Sequence, residues 1–171
     1  MKRLMVILLV MTTAMVLGSI PALSQQSGST TIAGGSGGNS FSDTLPAAGT
    51  RVTEVRIRSG QYIDAIQVVY ASASGSSVAA GQHGGSGGRV NIFRLDADEY
   101  ITGISGRCGD IIDSLRIHTN KKSSPLYGGS GGSRDFQIVV PNGSQAVGFV
   151  GRAGQYLNAI GLSHARIVAR R

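Results

Sequence analysis

Three short segments of this 171-residue sequence carry a polar side chain four residues after a glycine. The first two carry the carboxylates Asp64 and Asp113, and the third carries the amide Asn158. A carboxylate can accept hydrogen bonds from two neighbouring hydroxyl groups, and such charge-assisted bonds are the strong ones. These positions therefore suit a hydroxyl-rich ligand. The alternative is a turn cap, because Asp after Gly often accepts a bond from a nearby backbone N–H group.

A glycine run, Gly-Gly-Ser-Gly-Gly, precedes each of these segments at a nearly constant distance. The runs are Gly34–Gly38, Gly84–Gly88 and Gly128–Gly132. Glycine has no Cβ atom, so such a backbone can approach a ligand closely and present its N–H groups to it. A flexible linker has the same composition, but a linker has no reason to stay in step with a second motif. The pattern therefore indicates three structural repeats, over 34–83, 84–127 and 128–171.

Apolar residues alternate with polar ones inside each repeat, between glycine-rich turns. This period of two favours half-buried antiparallel strands, about four in each repeat. One four-stranded unit cannot bury its apolar face alone, so the three units must share a core. The sequence predicts an all-β fold of three four-stranded sheets with pseudo-threefold symmetry. The apolar positions are Val52, Val55, Ile57, Tyr62, Ile63, Ile66 and Val68, then Ile101, Ile104, Ile112, Leu115 and Ile117, then Val147, Phe149, Leu157, Ile160 and Leu162.

The N-terminal segment 1–24 has the composition of a secretory signal peptide. Lys2 and Arg3 precede an apolar run that is short for a membrane span, and small residues stand before Gln25. We expect cleavage near residue 24, a polar leader over 25–33 and a domain over 34–171. The protein would then be secreted, periplasmic or held at a cell surface, with no membrane insertion.

Charge and cysteine content limit the function classes. The net charge is +7, but no basic run is interleaved with aromatic residues, so nucleic-acid binding is not predicted. Cys108 is the single cysteine, and Ser59 and Ala153 hold the same position in the other repeats. Because all three residues are small, this position favours a small side chain, and we expect the Cys108 thiol to be buried. A disulfide to a second chain is the alternative.

No catalytic or metal-binding constellation is present in the sequence. His83, His118 and His164 share no metal-ligand spacing, and each repeat offers mainly one acid, whereas a glycosidase needs two near one sugar. We therefore predict neither an enzyme nor a cofactor.

The glycine run followed by Gly-X-Tyr-(Leu/Ile)-Asp-Ala-Ile resembles the jacalin-related lectins, in their mannose-binding branch. The resemblance extends from Gly34 to about Ile167 and implies a β-prism I fold of three Greek-key sheets, with sugar bound at one end. It also implies that the last glycine of each run faces the motif of the preceding unit. Asp64 would then face Gly88, and Asp113 would face Gly132. The third motif would face Gly38 when the ring closes.

The resemblance implies three carbohydrate-binding sites that are not equal. The third site should be weak or silent, because the Asn amide accepts through one oxygen and brings an NH₂ group that needs its own acceptor. In the second site an isoleucine replaces the tyrosine of the first. The residues are Gln61, Tyr62, Asp64 and Gly88 in the first site, Asp110, Ile111, Asp113 and Gly132 in the second, and Gln155, Tyr156, Asn158 and Gly38 in the third.

The chain continues through Gly34, whereas galactose-specific members of the family are cleaved at the glycine run. Mannose or glucose is therefore the expected sugar, presented on glycans or glycoproteins. Exchange of the N-terminal segment 25–50 between two copies, giving a homodimer, is possible by the same resemblance. The alternative function is a secreted structural or adhesive β-prism module that binds a protein or matrix surface without sugar.

Overall fold

The computed structural model describes residues 27–46, 50–72 and 74–167, and these ranges contain strands and loops but no helix. The expected signal peptide lies outside the described residues. Within those ranges, no helix is long and apolar enough to cross a membrane. The strands are β1 Ser27–Ser29, β2 Ala33–Gly34, β3 Asn39–Ser42, β4 Arg51–Ser59, β5 Ile63–Ala71, β6 Ser77–Ala79, β7 His83–Gly84, β8 Arg89–Arg94, β9 Ile101–Cys108, β10 Ile112–Thr119, β11 Tyr127–Gly128, β12 Arg134–Val139, β13 Ser144–Ala153 and β14 Leu157–Arg166.

The strands form three antiparallel sheets, each four strands wide. The first sheet has the order β6-β5-β4-β8, and the short β7 pairs with β5 beyond the end of β6. The second has the order β11-β10-β9-β12, and the third β1-β14-β13-β3, with β2 also beside β14. The predicted all-β architecture of three four-stranded sheets is confirmed.

A long hairpin forms the centre of each sheet, and a glycine run connects the outer strands across the hairpin's end. In the first sheet the hairpin is β4–β5, and Gly84–Gly88 leads from β7 into β8. Each hairpin thus packs against the glycine run that begins the following repeat, so one sheet contains strands from two consecutive sequence repeats. The last hairpin, β13–β14, takes the first run, Gly34–Gly38, and this closes the ring.

The core lies between the three sheets and contains apolar side chains from all of them. Each large aliphatic side chain removed from water contributes about 1.5–3 kcal/mol, so the shared core is what holds the sheets together. Cys108 is buried at the end of β9, with 2% of its surface exposed, as expected for a small apolar position. Fully buried members include Ile57, Ile66, Ile104, Leu115, Phe149 and Ile160.

One side chain differs from the sequence-based expectation, and two short strands were not predicted from the sequence. Tyr62 is 37% exposed, because it lies in the turn between β4 and β5 where alternation no longer governs direction. The Ser/Ala/Gly-rich stretch 71–82 contains the strand β6, which pairs with β5. Ser27–Ser29, within the expected leader, pairs with β14 as β1, and without this strand that side of β14 would be a sheet edge with unpaired backbone groups.

A buried polar contact joins the first and third sheets. The Nε2 atom of His83 lies 2.7 Å from Oδ1 of Asp43, and the His83 ring stacks on Phe41 with 3.9 Å between centroids. The other Asp43 oxygen accepts a hydrogen bond from the Phe149 N–H group at 3.0 Å. The carboxylate is thus satisfied by groups on both sheets and fixes their relative position.

Candidate functional site

The three central hairpins end in turns of the same shape. In each turn the motif glycine donates its N–H group to the carbonyl two residues later, at 3.1 Å from Gly60 to Tyr62 and 3.0 Å from Gly109 to Ile111. The Gly154 N–H group makes the equivalent bond at 3.0 Å. The motif acid or amide then follows as the second residue of the returning strand. The sequence repeat is therefore a repeat of local backbone structure.

Each glycine run is tied to the polar residue that it crosses. The Gly85 N–H group donates to the Asp64 carbonyl at 3.0 Å, and the Gly129 N–H group donates to the Asp113 carbonyl at 3.0 Å. The bond from Gly35 to Asn158 measures 2.9 Å. These bonds hold the start of each run against the strand that carries the polar side chain.

The end of each run faces that side chain itself. A Cβ atom built on Gly132 would lie 2.7 Å from Oδ2 of Asp113, and one on Gly38 would lie 2.6 Å from Oδ1 of Asn158. A Cβ atom on Gly88 would overlap Oδ2 of Asp64. The φ angles of these last glycines are also positive, from 62° to 79°, where an L residue is strained. Glycine is therefore required here both by the backbone conformation and by the close approach.

We call the pocket between a glycine run and the motif side chain that it faces a cup, and number the cups as the sites that contain Asp64, Asp113 and Asn158. The two carboxylates are buried in these cups. Asp64 is 8% exposed and Asp113 is 5% exposed, and Oδ2 of Asp113 accepts no hydrogen bond from any residue in the described ranges. Leaving a buried acceptor unpaired costs about 1–3 kcal/mol. The second cup therefore holds a strong acceptor that no side chain or backbone group of the described residues satisfies.

The hairpin turns beside these cups carry unpaired backbone donors. Among the described residues, no group accepts from the N–H groups of Gln61, Tyr62, Asp110 or Ile111. A ligand in the first or second cup would thus meet two N–H donors on the turn and a carboxylate on the strand. Groups that both donate and accept, as hydroxyls do, match such a mixture.

Three arginines that we did not predict hold the glycine runs in place. Arg58 Nε donates to the Gly87 carbonyl at 2.8 Å, and Arg107 Nη2 donates to the Gly132 carbonyl at 2.7 Å. Arg152 donates to two carbonyls of the first run, at 3.0 and 2.6 Å. The signal was present in the sequence, because an arginine stands two residues before the motif glycine in every repeat. Such charge-assisted bonds hold the carbonyls at the end of each run in place.

The three cups lie together at one end of the molecule. The Tyr62 and Tyr156 rings meet edge to face, with 5.7 Å between centroids. The structure places the motif side chain of each predicted site against the last glycine of its run, pairing Asp64 with Gly88, Asp113 with Gly132, and Asn158 with Gly38.

The histidines take other roles. His83 binds Asp43, and His118 contacts two serine hydroxyls at 2.7 and 2.8 Å. Burial and the nearby Arg116 lower the pKa of His118, so this side chain is neutral near pH 7. In the part of the chain that the structure describes, no three His, Cys, Asp or Glu side chains converge as a metal site would require.

Comparisons with known proteins agree with this geometry. The family model described as the jacalin-like lectin domain matches residues 30–163. Horcolin from Hordeum vulgare is 39% identical over 134 residues, which are 75% of this chain and 90% of horcolin. The structure of wild-type Malaysian banana lectin matches with a TM-score of 0.71 and 29% identity, covering 83% of this chain and 100% of the lectin.

A solved structure described as a mannose-binding jacalin-related lectin from Ananas comosus has a TM-score of 0.67 and 28% identity. It covers 84% of this chain and 99% of that lectin. These similarities confirm the predicted β-prism fold, because the matched structures cover more than four fifths of this chain with TM-scores near 0.7. The chain belongs to the family of jacalin-like lectin domains.

Proposed function

We propose that this protein is a secreted lectin that binds mannose- or glucose-type glycans through up to three sites. Asp64, Asp113 and Asn158 each contribute one site, and the third is weakened by its amide. The three intact glycine runs also resemble those of griffithsin, a red-algal lectin, and this finer resemblance is part of the proposal. The protein does no chemistry on the glycan.

The observation that carries the proposal is the unpaired Oδ2 atom of the buried Asp113 carboxylate. A hexose hydroxyl can donate to this atom, while neighbouring hydroxyls accept from the free N–H groups of Asp110 and Ile111. Binding then supplies the partners that the cup lacks. A side chain of a partner protein would reach this atom less easily than a sugar, because the cup lies between Gly132 and the hairpin turn.

Mannose or glucose is favoured over galactose by the continuity of the chain at the first run. Gly34 is joined to Ala33 within β2, and that strand pairs with β14. A chain that stays intact here presents no free amino group at this run. The Ananas comosus relative is described as mannose-binding, which supports the same class of sugar.

The placement of the cups favours branched glycans. Each cup offers few contacts, so the affinity for one monosaccharide should be low. Cups at the same end of the molecule can engage several branches of one glycan or of a coated surface. The second binding event is then intramolecular, and avidity can exceed the single-site affinity by 10²–10⁴.

Retention on mannan-coated beads tests the proposal. The protein should bind and be released by free mannose, and the Asp64→Ala, Asp113→Ala double variant should not be retained. Asp98→Ala is the matched control, because Asp98 is a solvent-exposed carboxylate paired with Lys121. Failure of the unaltered protein to bind, or equal retention of the double variant, would favour the sugar-independent adhesive module instead.

Secretion is the remaining part of the proposal. The segment 1–24 should be absent from exported protein, whose N-terminal sequence should begin near Gln25. A homodimer formed by exchange of the segment 25–50 is tested by the mass of the purified protein in solution. A glycan array then gives the linkage preference.

A further inference from the structure

Each glycine run also contacts the turn of a different hairpin. A Cβ atom on Gly85 would lie 3.2 Å from the carbonyl carbon of Gln155, and one on Gly129 would lie 3.3 Å from that of Gln61. In the third site, a Cβ atom on Gly35 would lie 2.8 Å from Cα of Asp110. Every cup is thus bordered by one residue from a neighbouring unit.

The third site has an amide in the cup and an acid on the neighbouring hairpin, whereas the first two sites have the reverse arrangement. In the first and second sites the acid lies in the cup, as Asp64 or Asp113, and the bordering residue is a glutamine. In the third site the amide Asn158 lies in the cup and the bordering residue, Asp110, is the acid. The third site therefore keeps one carboxylate, supplied by the second hairpin.

Asp110 is available for this role. Its side chain is exposed, and within the described ranges its carboxylate forms no hydrogen bond or ion pair. Its backbone carbonyl is 3.5 Å from Nδ2 of Asn158, so the two residues are adjacent at the cup. Aspartate has a short side chain, which keeps its carboxylate close to that contact.

The glycine run of the third site is fixed as in the other two. Arg152 donates to the Gly37 and Gly38 carbonyls, and Arg134 of the second sheet donates to the Gly34 carbonyl at 3.2 Å. The backbone half of the cup is therefore intact. What the site lacks is only the acidic acceptor on its own strand.

We propose that the third site is a composite cup in which the Asp110 carboxylate, carried by the second hairpin, binds the hydroxyls of a hexose in place of the acid that Asn158 lacks. This inference rests on the proposed function, since it names a sugar-binding role for a side chain of a neighbouring unit. It replaces a silent third site with a weak one that depends on Asp110.

The test is a titration with methyl α-mannoside followed by the backbone amide NMR signals of the protein. Signals of Gly85–Gly88 report the first site, and signals of Gly35–Gly38 report the third. The substitution Asp110→Gln is conservative, because glutamine holds this position in the other two turns. We expect it to weaken the third site about tenfold, as for loss of one charged hydrogen bond, and to leave the first-site midpoint in place.

Asn158→Asp supplies the second arm. It returns the acid to the cup and should strengthen the third site, and Asp110→Gln should then cost less in that background than in the unaltered chain. Asp98→Asn is the control for removal of an exposed charge.

The outcomes separate this inference from the proposed function. If Asp110→Gln leaves the third-site midpoint unchanged, or if the third-site signals never respond while the first-site signals saturate, the composite cup is refuted and the lectin proposal stands. If no signal in any cup responds to mannoside, both fail.

Discussion

Replacing Gly88 by alanine tests whether the glycine run is required for its close approach and not only for its backbone angle. The φ angle of Gly88 is 62°, and a Cβ atom there would lie 2.6 Å from the carbonyl carbon of Ser59 and overlap Oδ2 of Asp64. The Ser59 contact is with backbone, which cannot rotate away. Gly143 is a matched control, because its φ angle is 75° and a Cβ atom there would meet nothing within 4 Å.

The two substitutions share one cost and differ in another. Left-handed backbone costs an L residue about 1–2 kcal/mol, so Gly143→Ala should destabilise the protein by about that amount. Gly88→Ala should add about 1–3 kcal/mol for overpacking. Each kcal/mol lowers the melting temperature of a domain of this size by about 2–4 °C.

Thermal unfolding and mannoside titration measure the difference. Gly88→Ala should melt below Gly143→Ala and should lose binding at the first cup, since the added methyl group displaces the Asp64 carboxylate. Gly143→Ala should bind normally at every cup. Equal melting temperatures together with a normal first-site midpoint would refute the steric explanation of the glycine run.

Three further predictions concern side chains that support the cups or the core. Arg58→Gln should weaken mannoside binding at the first site roughly three- to tenfold in the same titration, because the Gly87 carbonyl loses a charged donor. An unchanged midpoint would show that Arg58 is not needed to hold the glycine run in its binding position. His83→Leu leaves the buried Asp43 carboxylate without its cross-sheet partner and should lower the free energy of unfolding by about 3 kcal/mol in urea titration; a loss below 1 kcal/mol would count against a structural role for the pair. Burial, with the nearby Asp43 charge, raises the pKa of Tyr70 well above 10.0, so its contribution to stability is complete below pH 10 and is lost as the pH rises further. Melting curves between pH 8 and 11 should show this loss of stability. Tyr70→Phe should lower stability by about 1 kcal/mol, because the bond to the Val147 carbonyl is lost, and should make the fall in melting temperature with pH shallower. An unaltered pH dependence in the variant would contradict this role of Tyr70.

Local sequence patterns predicted the strand-rich repeats and most of the core, but not the buried side chains of Phe93, Tyr127 and Ile138. The alternation in Val55 and Ile57 places side chains on one face of a strand, and this depends only on the strand's own geometry. Tyr62 does not follow the alternation, because it lies in a turn where the hydrogen bond from Gly60 to the Tyr62 carbonyl sets the backbone conformation and thereby the direction of the side chain. The repeated arginine at Arg58 was visible in the sequence, but its carbonyl partners on the glycine run lie about thirty residues away along the chain.

The sequence by itself determined the three hairpins, their shared apolar face and the polar residue behind each turn, because these follow from the period of the strands and from glycine's backbone freedom. Only the tertiary structure decided which side chain borders which cup. Asp110 lies beside the first glycine run and Asp43 beside His83 because the first and last strands close one sheet and bring distant segments together. Contacts of this kind depend on the order of the hairpins around the core, and no local spacing encodes that order.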